Sequence, residues 1–218
     1  QVGEMAWKMH DQPDAGLWEF RTRQEVHTYS VLMSWAACGR IATVAERLGM
    51  TEKCEFWRDR AAQIRARIEN EAWHEEGQHY ASALGGSHLD ASLLQMIDLG
   101  FLKPEDERFQ KTFAAIEKGL RRGEHMLRYD AEDDFGLPET AFNICTFWLM
   151  EALHLAGRED EARALFETML SHRTKSGLLS EDLDFNNGEL WGNFPQTYSL
   201  VGIINCATLL SRPWSVIR

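Results

Sequence analysis

The fold class is decided by stretches such as FNICTFWLMEALHLA at residues 142–156. Apolar residues recur in it at steps of three and four: Phe142, Cys145, Leu149, Ala152 and Ala156. This spacing places them on one face of an α-helix, and Gly157 then supplies the residue type that commonly ends a helix. A helix with one apolar face in a core is therefore predicted here.

The same spacing recurs along most of the chain and predicts about seven helices. Their approximate bounds are 26–48, 51–74, 88–98, 104–120, 138–156, 158–171 and 195–211. Residues 2–9 have the pattern of the end of a further helix. The apolar face of the last helix is predicted to contain Leu200, Ile203, Ala207 and Leu210. No sheet is predicted, because a convincing alternation of apolar and polar residues is missing. The chain is therefore predicted to be all-α.

The connections between the predicted helices alternate in length. Short ones lie at 49–51, 99–104 and 157–158, and longer polar and aromatic ones at 11–25, 75–87, 121–137 and 172–194. Binding residues concentrate in long loops held by a rigid scaffold. The alternation fits helix hairpins stacked side by side, as in an α/α barrel or an open solenoid. No fixed repeat is visible, which weakens the case for a solenoid.

Composition argues against several classes of function. The net charge is −11, and no basic cluster extends beyond Arg121-Arg122, so nucleic acid is not an expected partner. No apolar run approaches the ~20 residues of a membrane span, so no membrane partner is expected. The four cysteines stand singly in apolar helical patterns, without a zinc-binding motif. We predict buried free thiols in a reducing, cytoplasmic compartment, and neither a metal ion nor another cofactor.

Two acidic segments carry the candidate chemistry. GLWEFR at residues 16–21 contains Glu19, and GLLSED at residues 177–182 contains Glu181. Each sets a glutamate near apolar or aromatic residues and precedes a predicted helix. Two carboxylates from distant loops that meet at one cleft are the minimum for acid–base hydrolysis of a glycosidic bond. Taken singly, each segment is equally well explained as a surface turn or a packed loop.

Two further regions have a composition that suits sugars. Residues 188–199 are rich in aromatic and amide side chains, which can stack on sugar rings and bind hydroxyl groups. Arg128 in Arg128-Tyr129-Asp130 could form a structural ion pair or bind vicinal hydroxyl groups. Oxygen ligands at 182–187 could bind calcium, but the EF-hand order is absent. Asp90 needs no functional role, because residues 87–90 have the form of a capping box.

In this order, the segments resemble glycoside hydrolase family 15, the group of glucoamylases, glucodextranases and bacterial trehalases. The matching residues lie at 16–21, 27–30, 35, 89–94, 128–129, 143–149 and 178–200. The resemblance covers nearly the whole chain. It implies an (α/α)6 barrel and an enzyme that hydrolyses α-glucosidic bonds with inversion at the anomeric carbon.

The resemblance also implies roles for individual residues. Glu19 would be the general acid that protonates the leaving oxygen, and Glu181 the general base that activates water on the opposite face. Seven further residues are expected to bind the substrate: Trp18, Arg21, His27, Arg128, Tyr129, Trp191 and Tyr198. The expected partner is an oligosaccharide or a disaccharide, and trehalose, malto-type and isomalto-type sugars all stay open.

The predicted helices account for about seven of the twelve in such a barrel. Residues 1–218 are expected to be the C-terminal part of the catalytic domain, and open apolar faces would favour self-association or dependence on a missing N-terminal part. Two rival functions stay open: a non-catalytic helical binding or scaffold module, and another α/α-barrel enzyme such as a sugar epimerase. An epimerase would call for central histidines, and His27 and His88 are the plausible ones.

Overall fold

The computed structural model describes residues 1–133 and 136–211, which leaves Asp134 and Phe135 of the third polar loop outside the described residues. Eight α-helices run through the described part: α1 (Val2–Met9), α2 (Thr28–Arg47), α3 (Thr51–Glu71), α4 (Gln95–Asp98), α5 (Glu107–Leu120), α6 (Asn143–Leu155), α7 (Glu159–Ser171) and α8 (Thr197–Ser211). The all-α class is confirmed, and so is a helix within residues 2–9.

Short strands correct the prediction that the chain forms no sheet. They are β1 (Trp73–His74), β2 (His79–Tyr80), β3 (Arg121–Arg122), β4 (His125–Met126), β5 (Ala141–Phe142), β6 (Asp182–Leu183) and β7 (Leu190–Trp191). All pairs are antiparallel: β1 with β2, β3 with β4, and β6 between β5 and β7. Each strand has two residues, so an alternating pattern had no room to appear in the sequence.

The predicted helix over 88–98 is wrong in its first half. A 3-10 helix at Ala91–Leu94 precedes the single turn of α4. Asp90 is the N-cap of this 3-10 helix, because its Oδ1 accepts hydrogen bonds from the Ser92 amide (2.8 Å) and from Ser92 Oγ (2.6 Å). The predicted capping box that began at Ser87 is therefore corrected: Asp90 itself caps.

The chain divides into two compact units, Gln1–His88 and Leu89–Arg218. In the first unit, α2 and α3 pack as a hairpin and α1 packs on α2. Gly49 makes the connection, because it adopts a left-handed φ of +70° and its amide donates to the Glu46 carbonyl at 3.0 Å. The core of this hairpin includes Ile64 and Ile68, which are fully buried.

In the second unit, α6 packs against α4, α7, α8 and the 3-10 helix. Its predicted core residues Cys145, Leu149 and Ala152 are buried. The C-cap of α6 is Ala156, and Gly157, predicted as the cap, is the residue after it: it has φ +80° and its amide donates to the His154 carbonyl at 3.0 Å. The amphipathic face of α5 is buried as well: Phe109, Phe113, Ile116 and Leu120.

The predicted apolar face of α8 is mostly wrong. Its buried residues are Ser199, Gly202, Cys206, Leu209 and Leu210, whereas Leu200, Ile203 and Ala207 are half-buried. The helix approaches α6 so closely that a Cβ atom on Gly202 would lie 2.4 Å from Phe147. Small residues occupy this face because close packing selects for fit as well as for hydrophobicity.

All four cysteines are free and buried, as predicted. Among residues 1–133 and 136–211, no helix is both long enough and apolar enough to cross a membrane.

Candidate functional site

A tight turn in the first unit carries Glu19. The Gly16 amide donates to Asp14 Oδ1 at 2.8 Å, and the Phe20 amide donates to the Ala15 carbonyl at 2.9 Å. Gly16 has φ +69°, a left-handed conformation that glycine adopts freely. Glu19 has φ 56°, which costs about 1 kcal/mol in a residue with a side chain. The Glu19 side chain is exposed.

The His27 side chain packs against this turn at Phe20 and Gly16. The imidazole ring stacks on Phe20 at a centroid distance of 5.7 Å, and a Cβ atom on Gly16 would lie 2.8 Å from the ring. Backbone hydrogen bonds between residues 26–28 and residues 82–84 hold the position of His27: the Thr28 amide donates to the Ser82 carbonyl, and the Leu84 amide donates to the Val26 carbonyl. The side chain is 5% exposed, and its Nε2 has no hydrogen-bond partner within the described chain. The geometry is that of a support for the turn, and substrate binding by His27 stays a prediction.

Trp18 and Arg21 flank Glu19 in the same turn. The Trp18 ring is half-buried, whereas Arg21 is exposed. The guanidinium group of Arg23 stacks on Phe20, with its carbon 3.9 Å from the ring centroid. The first unit thus brings the three predicted residues of this loop to one exposed segment.

The backbone beside Glu181 is held by the first residues of α6 and α8. The Asn143 amide donates to the Glu181 carbonyl at 2.9 Å, and Asn143 Nδ2 donates to the Ser180 carbonyl at 2.8 Å. Ser199 Oγ donates to the same Ser180 carbonyl at 2.8 Å. Asn143 and Ser199 are fully buried. Such buried bonds resist displacement, because breaking one leaves a polar group unsatisfied.

The Glu181 carboxylate accepts four hydrogen bonds from three residues that follow β7. Its Oε1 accepts from the Tyr198 hydroxyl at 2.6 Å and from Gln196 Nε2 at 3.2 Å. Its Oε2 accepts from the Asn193 amide at 3.2 Å and from Asn193 Nδ2 at 2.9 Å. A carboxylate has about four lone-pair positions. The group is therefore fully engaged as an acceptor.

Gly192 lets the chain pass close to this carboxylate. It adopts φ +76°, and a Cβ atom there would lie 3.0 Å from Glu181 Oε2 and 3.1 Å from Glu181 Cβ. The segment that supplies the donors could not approach as closely with a side chain at this position.

Tyr198 is predicted to contact substrate, and the structure places its hydroxyl on Glu181. Its ring stacks on Phe142 at a centroid distance of 5.8 Å. Partial burial, followed by the hydrogen bond to Glu181, raises the pKa of Tyr198 well above its usual value. The hydroxyl therefore stays protonated and remains a donor at neutral pH.

Asp182 lies on β6, directly after Glu181, and its carboxyl group is largely buried. The pKa of Asp182 is raised to about 6, chiefly by burial and to a smaller extent by the negative charge of Glu181. The positive charge of Arg128 and a hydrogen bond with Thr140 oppose this shift. The two adjacent acids thus have different surroundings: Glu181 is fully hydrogen-bonded, whereas Asp182 is buried and faces the positive charge of Arg128.

The backbone of Arg128 is fixed by the first residue of the 3-10 helix, since the Ala91 amide donates to the Arg128 carbonyl at 2.8 Å. Its guanidinium carbon lies 5.1 Å from the Phe142 ring centroid, and its Nη2 lies 3.9 Å from Asp133 Oδ2. The buried Nε of Arg128 has no hydrogen-bond partner among residues 1–133 and 136–211. Tyr129, by contrast, is 3% exposed and donates its hydroxyl to Asp133 Oδ2 at 2.5 Å.

Arg128 and Trp191 line a cleft of about 700 Å³ in the second unit. Asp133, Asp184 and Asn186 contribute polar atoms to the same cleft. Trp191 is 53% exposed, so a large part of its indole ring is accessible to a ligand. A volume of this size, with a few polar groups beside an aromatic ring, is typical of a site for a small polar ligand.

The oxygen-rich segment considered for calcium forms an ordinary turn. Asp184 Oδ1 accepts from the Asn186 amide at 2.8 Å and from Asn186 Nδ2 at 3.0 Å, while Asn187 Oδ1 accepts from the Glu189 amide at 2.8 Å. No group of three His, Cys, Asp or Glu side chains in the described ranges could hold a metal ion.

Asn193 and Gln196 are site residues that the sequence did not single out. The amide-rich composition of residues 188–199 is the signal that could have found them. Which amide reaches Glu181 depends on backbone pairing across the loop, from the Glu181 amide to the Asn193 carbonyl (2.9 Å) and from the Gln196 amide to the Leu179 carbonyl (3.0 Å). This pairing joins residues far apart in the sequence, so no local pattern reveals it.

A hydrogen-bonded carboxylate and a polar cleft beside an exposed indole ring are features typical of proteins that bind small polar ligands. Residues 4–208 match the model of the glycosyl hydrolases family 15, and the chain belongs to this family. The resemblance stated from the sequence is thereby confirmed.

Several trehalases are similar in sequence. The trehalase of Thermoplasma acidophilum is 37% identical over 209 residues, which are 95% of this chain and 35% of that protein. The trehalases of Thermoplasma volcanium and Mycobacterium tuberculosis are each 34% identical, over 95% and 96% of this chain and 33% and 31% of their own length. The chain thus spans about a third of the length of these curated relatives.

Solved structures agree in fold. A glycosidase in complex with glucose has a TM-score of 0.80 and 21% identity, over 94% of this chain and 57% of that one. A bacterial glucoamylase complexed with acarbose has a TM-score of 0.80 and 15% identity, over 96% of this chain and 37% of that one. The glucoamylase of Saccharomycopsis fibuligera has a TM-score of 0.77 and 11% identity, over 96% of this chain and 60% of that one. The predicted fold class, that of the glucoamylase-type (α/α)6 barrel, is confirmed.

Proposed function

We propose that the protein is an inverting glycosidase that hydrolyses the α-glucosidic bond of trehalose. Glu181 is the general base and Glu19 the general acid. The observation that carries the proposal is the Glu181 carboxylate, whose two oxygens are held by four hydrogen-bond donors. Trehalases that are more than 30% identical over nearly the whole chain support trehalose over malto-type and isomalto-type sugars.

The reaction requires two proton transfers. The general acid protonates the glycosidic oxygen as the bond to the anomeric carbon breaks, and the general base takes a proton from the water that attacks that carbon from the opposite face. Glu19 has the first role and Glu181 the second. The attacked glucose unit leaves as the β-anomer, and the other leaves with the protonated oxygen as its hydroxyl group.

The local environment of each glutamate supports its role. Glu181 is held as an acceptor, which is the state in which a general base receives a proton. Glu19 is exposed at a backbone conformation that a residue with a side chain rarely adopts. Such strain concentrates at functional sites, where the rest of the structure maintains it.

The cleft at Arg128 is the proposed binding site for a glucose unit. The Trp191 ring is available for stacking on the apolar face of the sugar, while Asp184 and Asn186 offer acceptors for its hydroxyl groups. The unpartnered Nε of Arg128 supports a role in binding, because a buried donor gains from a ligand that satisfies it.

The activity is proposed for the complete protein. On α8 the apolar side chains of Val201 and Ile204 are 42% and 63% exposed. These residues support the predicted need for a covering surface, from another part of the protein or from a second copy.

The test is the release of glucose from trehalose, maltose, isomaltose and starch by the complete protein and its variants. Glu19→Gln and Glu181→Gln should each lower kcat by about 10² to 10⁴-fold, because glutamine keeps the shape but cannot transfer the proton. Glu189→Gln, an exposed change in the loop of Glu181, is the matched control and should stay near wild type.

Near-normal turnover in either catalytic variant would contradict the assignment. Inversion releases one β-glucose from the attacked unit and one α-glucose from the leaving unit of trehalose, so initial release of both units as α-glucose would contradict it. A wild-type protein that binds these sugars but hydrolyses none of them would support the rival function, a non-catalytic binding module. Circular dichroism of each variant checks that the fold is retained.

A further inference from the structure

We propose that Tyr198 is a positioning residue for Glu181 rather than a substrate contact, and that its hydroxyl holds the carboxylate in its ionised, catalytically oriented form. This inference rests on the proposed function of Glu181 as the general base. Asn193 and Gln196 complete what we call the Glu181 clamp, defined as the three residues that donate to this carboxylate.

The hydrogen bond from Tyr198 is the strongest member of the clamp. Its oxygen-to-oxygen distance is 2.6 Å, within the ~2.5–2.7 Å range of charge-assisted O–H···O⁻ bonds. The other three donor-to-acceptor distances are 2.9, 3.2 and 3.2 Å. A short bond to an ionised acceptor contributes roughly twice as much as a bond between neutral groups.

Tyr198 is also the clamp residue that belongs to a helix. It belongs to the first turn of α8, and the next residue, Ser199, is fully buried and bonded to the Ser180 carbonyl at 2.8 Å. Its ring is stacked on Phe142. Asn193, by contrast, lies in the exposed connection between β7 and α8. A donor fixed by a helix restrains the rotation of a carboxylate more tightly than donors on a loop.

The occupied lone pairs of Glu181 explain why one hydrogen bond must persist during the reaction. Four donors leave no lone-pair position of Glu181 unengaged, so the attacking water can bind only where a donor moves away. The long bond from Gln196 is the weaker of the two at Oε1, whereas the short bond from Tyr198 persists and keeps the carboxylate in place. The raised pKa of Tyr198 agrees with this, since the hydroxyl stays a donor throughout the neutral range.

The test is Tyr198→Phe in the complete protein, with trehalose as the substrate. This change removes the hydroxyl and keeps the ring on Phe142. We expect kcat to fall by about 10- to 100-fold with less than about a twofold change in KM, because the lost interaction acts on the base and not on bound substrate. The acidic limb of the kcat/KM profile should move to higher pH, because the ionised form of the carboxylate loses a donor in the variant.

A matched control removes a hydroxyl group from the same helix without touching the clamp. Thr208 is exposed, and its Oγ donates to the Ile204 carbonyl within α8. Thr208→Val should leave kcat, KM and the pH profile unchanged. A double variant, Tyr198→Phe with Glu181→Gln, should lose no more activity than Glu181→Gln alone, because the hydroxyl acts through the carboxylate.

Three results would overturn the inference. A raised KM with an unmoved pH profile would show that Tyr198 binds substrate. A lowered thermal midpoint, with loss of activity but an unmoved pH profile, would show a structural role alone. Unchanged kinetics in Tyr198→Phe, with Glu181→Gln inactive, would refute the clamp and leave the proposed function standing. Near-normal activity of Glu181→Gln would refute the proposed function itself.

Discussion

Glu151 lies on α6 with a largely buried carboxyl group, and this group makes the stability of the protein depend on pH. The pKa of Glu151 is raised from 4.5 to about 7, chiefly by burial and secondly by the negative charge of Asp98 on α4. The hydrogen bond from Gln95 Nε2, at 3.2 Å, opposes the shift but is the smallest of the three causes. We predict that Glu151→Gln stabilises the folded protein at neutral and alkaline pH.

The magnitude follows from the two pKa values. The folded state keeps a proton that the unfolded state releases, so the contribution of this carboxyl group is fully present below pH 4.5 and is lost as the pH rises through about 7. A shift of about 2.5 pH units corresponds to about 3 kcal/mol. Glutamine has nearly the same shape, can still accept from Gln95 and never ionises.

The assay is urea unfolding of the wild type and the variant at several values between pH 4.5 and pH 8, followed by tryptophan fluorescence. The variant should gain stability relative to the wild type as the pH rises, up to about 3 kcal/mol at pH 8. Glu167→Gln, an exposed change on α7, is the control and should show no such trend. A difference between Glu151→Gln and the wild type that does not vary with pH would refute the reasoning.

The two remaining predictions concern glycines at close contacts. Gly192→Ala would place a Cβ atom 3.0 Å from Glu181 Oε2 at φ +76°, so we expect about 1–2 kcal/mol of strain and a clear loss of glucose release. Gly177→Ala is the matched control for Gly192→Ala. It has the same kind of backbone strain, at φ +80°, but its Cβ atom would meet no atom within 4 Å, so this variant should lose stability but keep activity. Gly202→Ala would place a Cβ atom 2.4 Å from Phe147 and should lower the free energy of unfolding by about 1–3 kcal/mol. An unchanged urea midpoint would contradict this last expectation.

The helices were the most predictable part of the fold. Those predicted over 158–171 and 195–211 are Glu159–Ser171 and Thr197–Ser211 in the structure. Helical hydrogen bonds join residues four apart, so periodicity and capping residues within a short window report them. The two-residue strands went unpredicted because their ladders join distant segments, as in the pairing of Ala141 with Leu183.

The candidate site divides in the same way. Glu19 and Glu181 could be selected from the sequence because the residues around them match a family pattern. The family itself is shown by the match over residues 4–208. The hydrogen-bond partners of Glu181 could not be selected. The 2.6 Å hydrogen bond from Tyr198 forms only when the loop after Glu181 folds back onto it, and no local sequence pattern specifies that path. For the same reason the near-neutral pKa of Asp182, which depends on burial, lay beyond the sequence.

The sequence by itself determined the all-α class, the family and the identity of the two candidate carboxyl groups. These depend on local spacing and on the order of short motifs, both of which a linear chain displays. Only the tertiary structure decided which face of α8 is buried, which residues hold Glu181 and which acids are shifted toward neutrality. Those properties come from distances between residues far apart along the chain, since packing, hydrogen bonding and desolvation act only once the chain has folded.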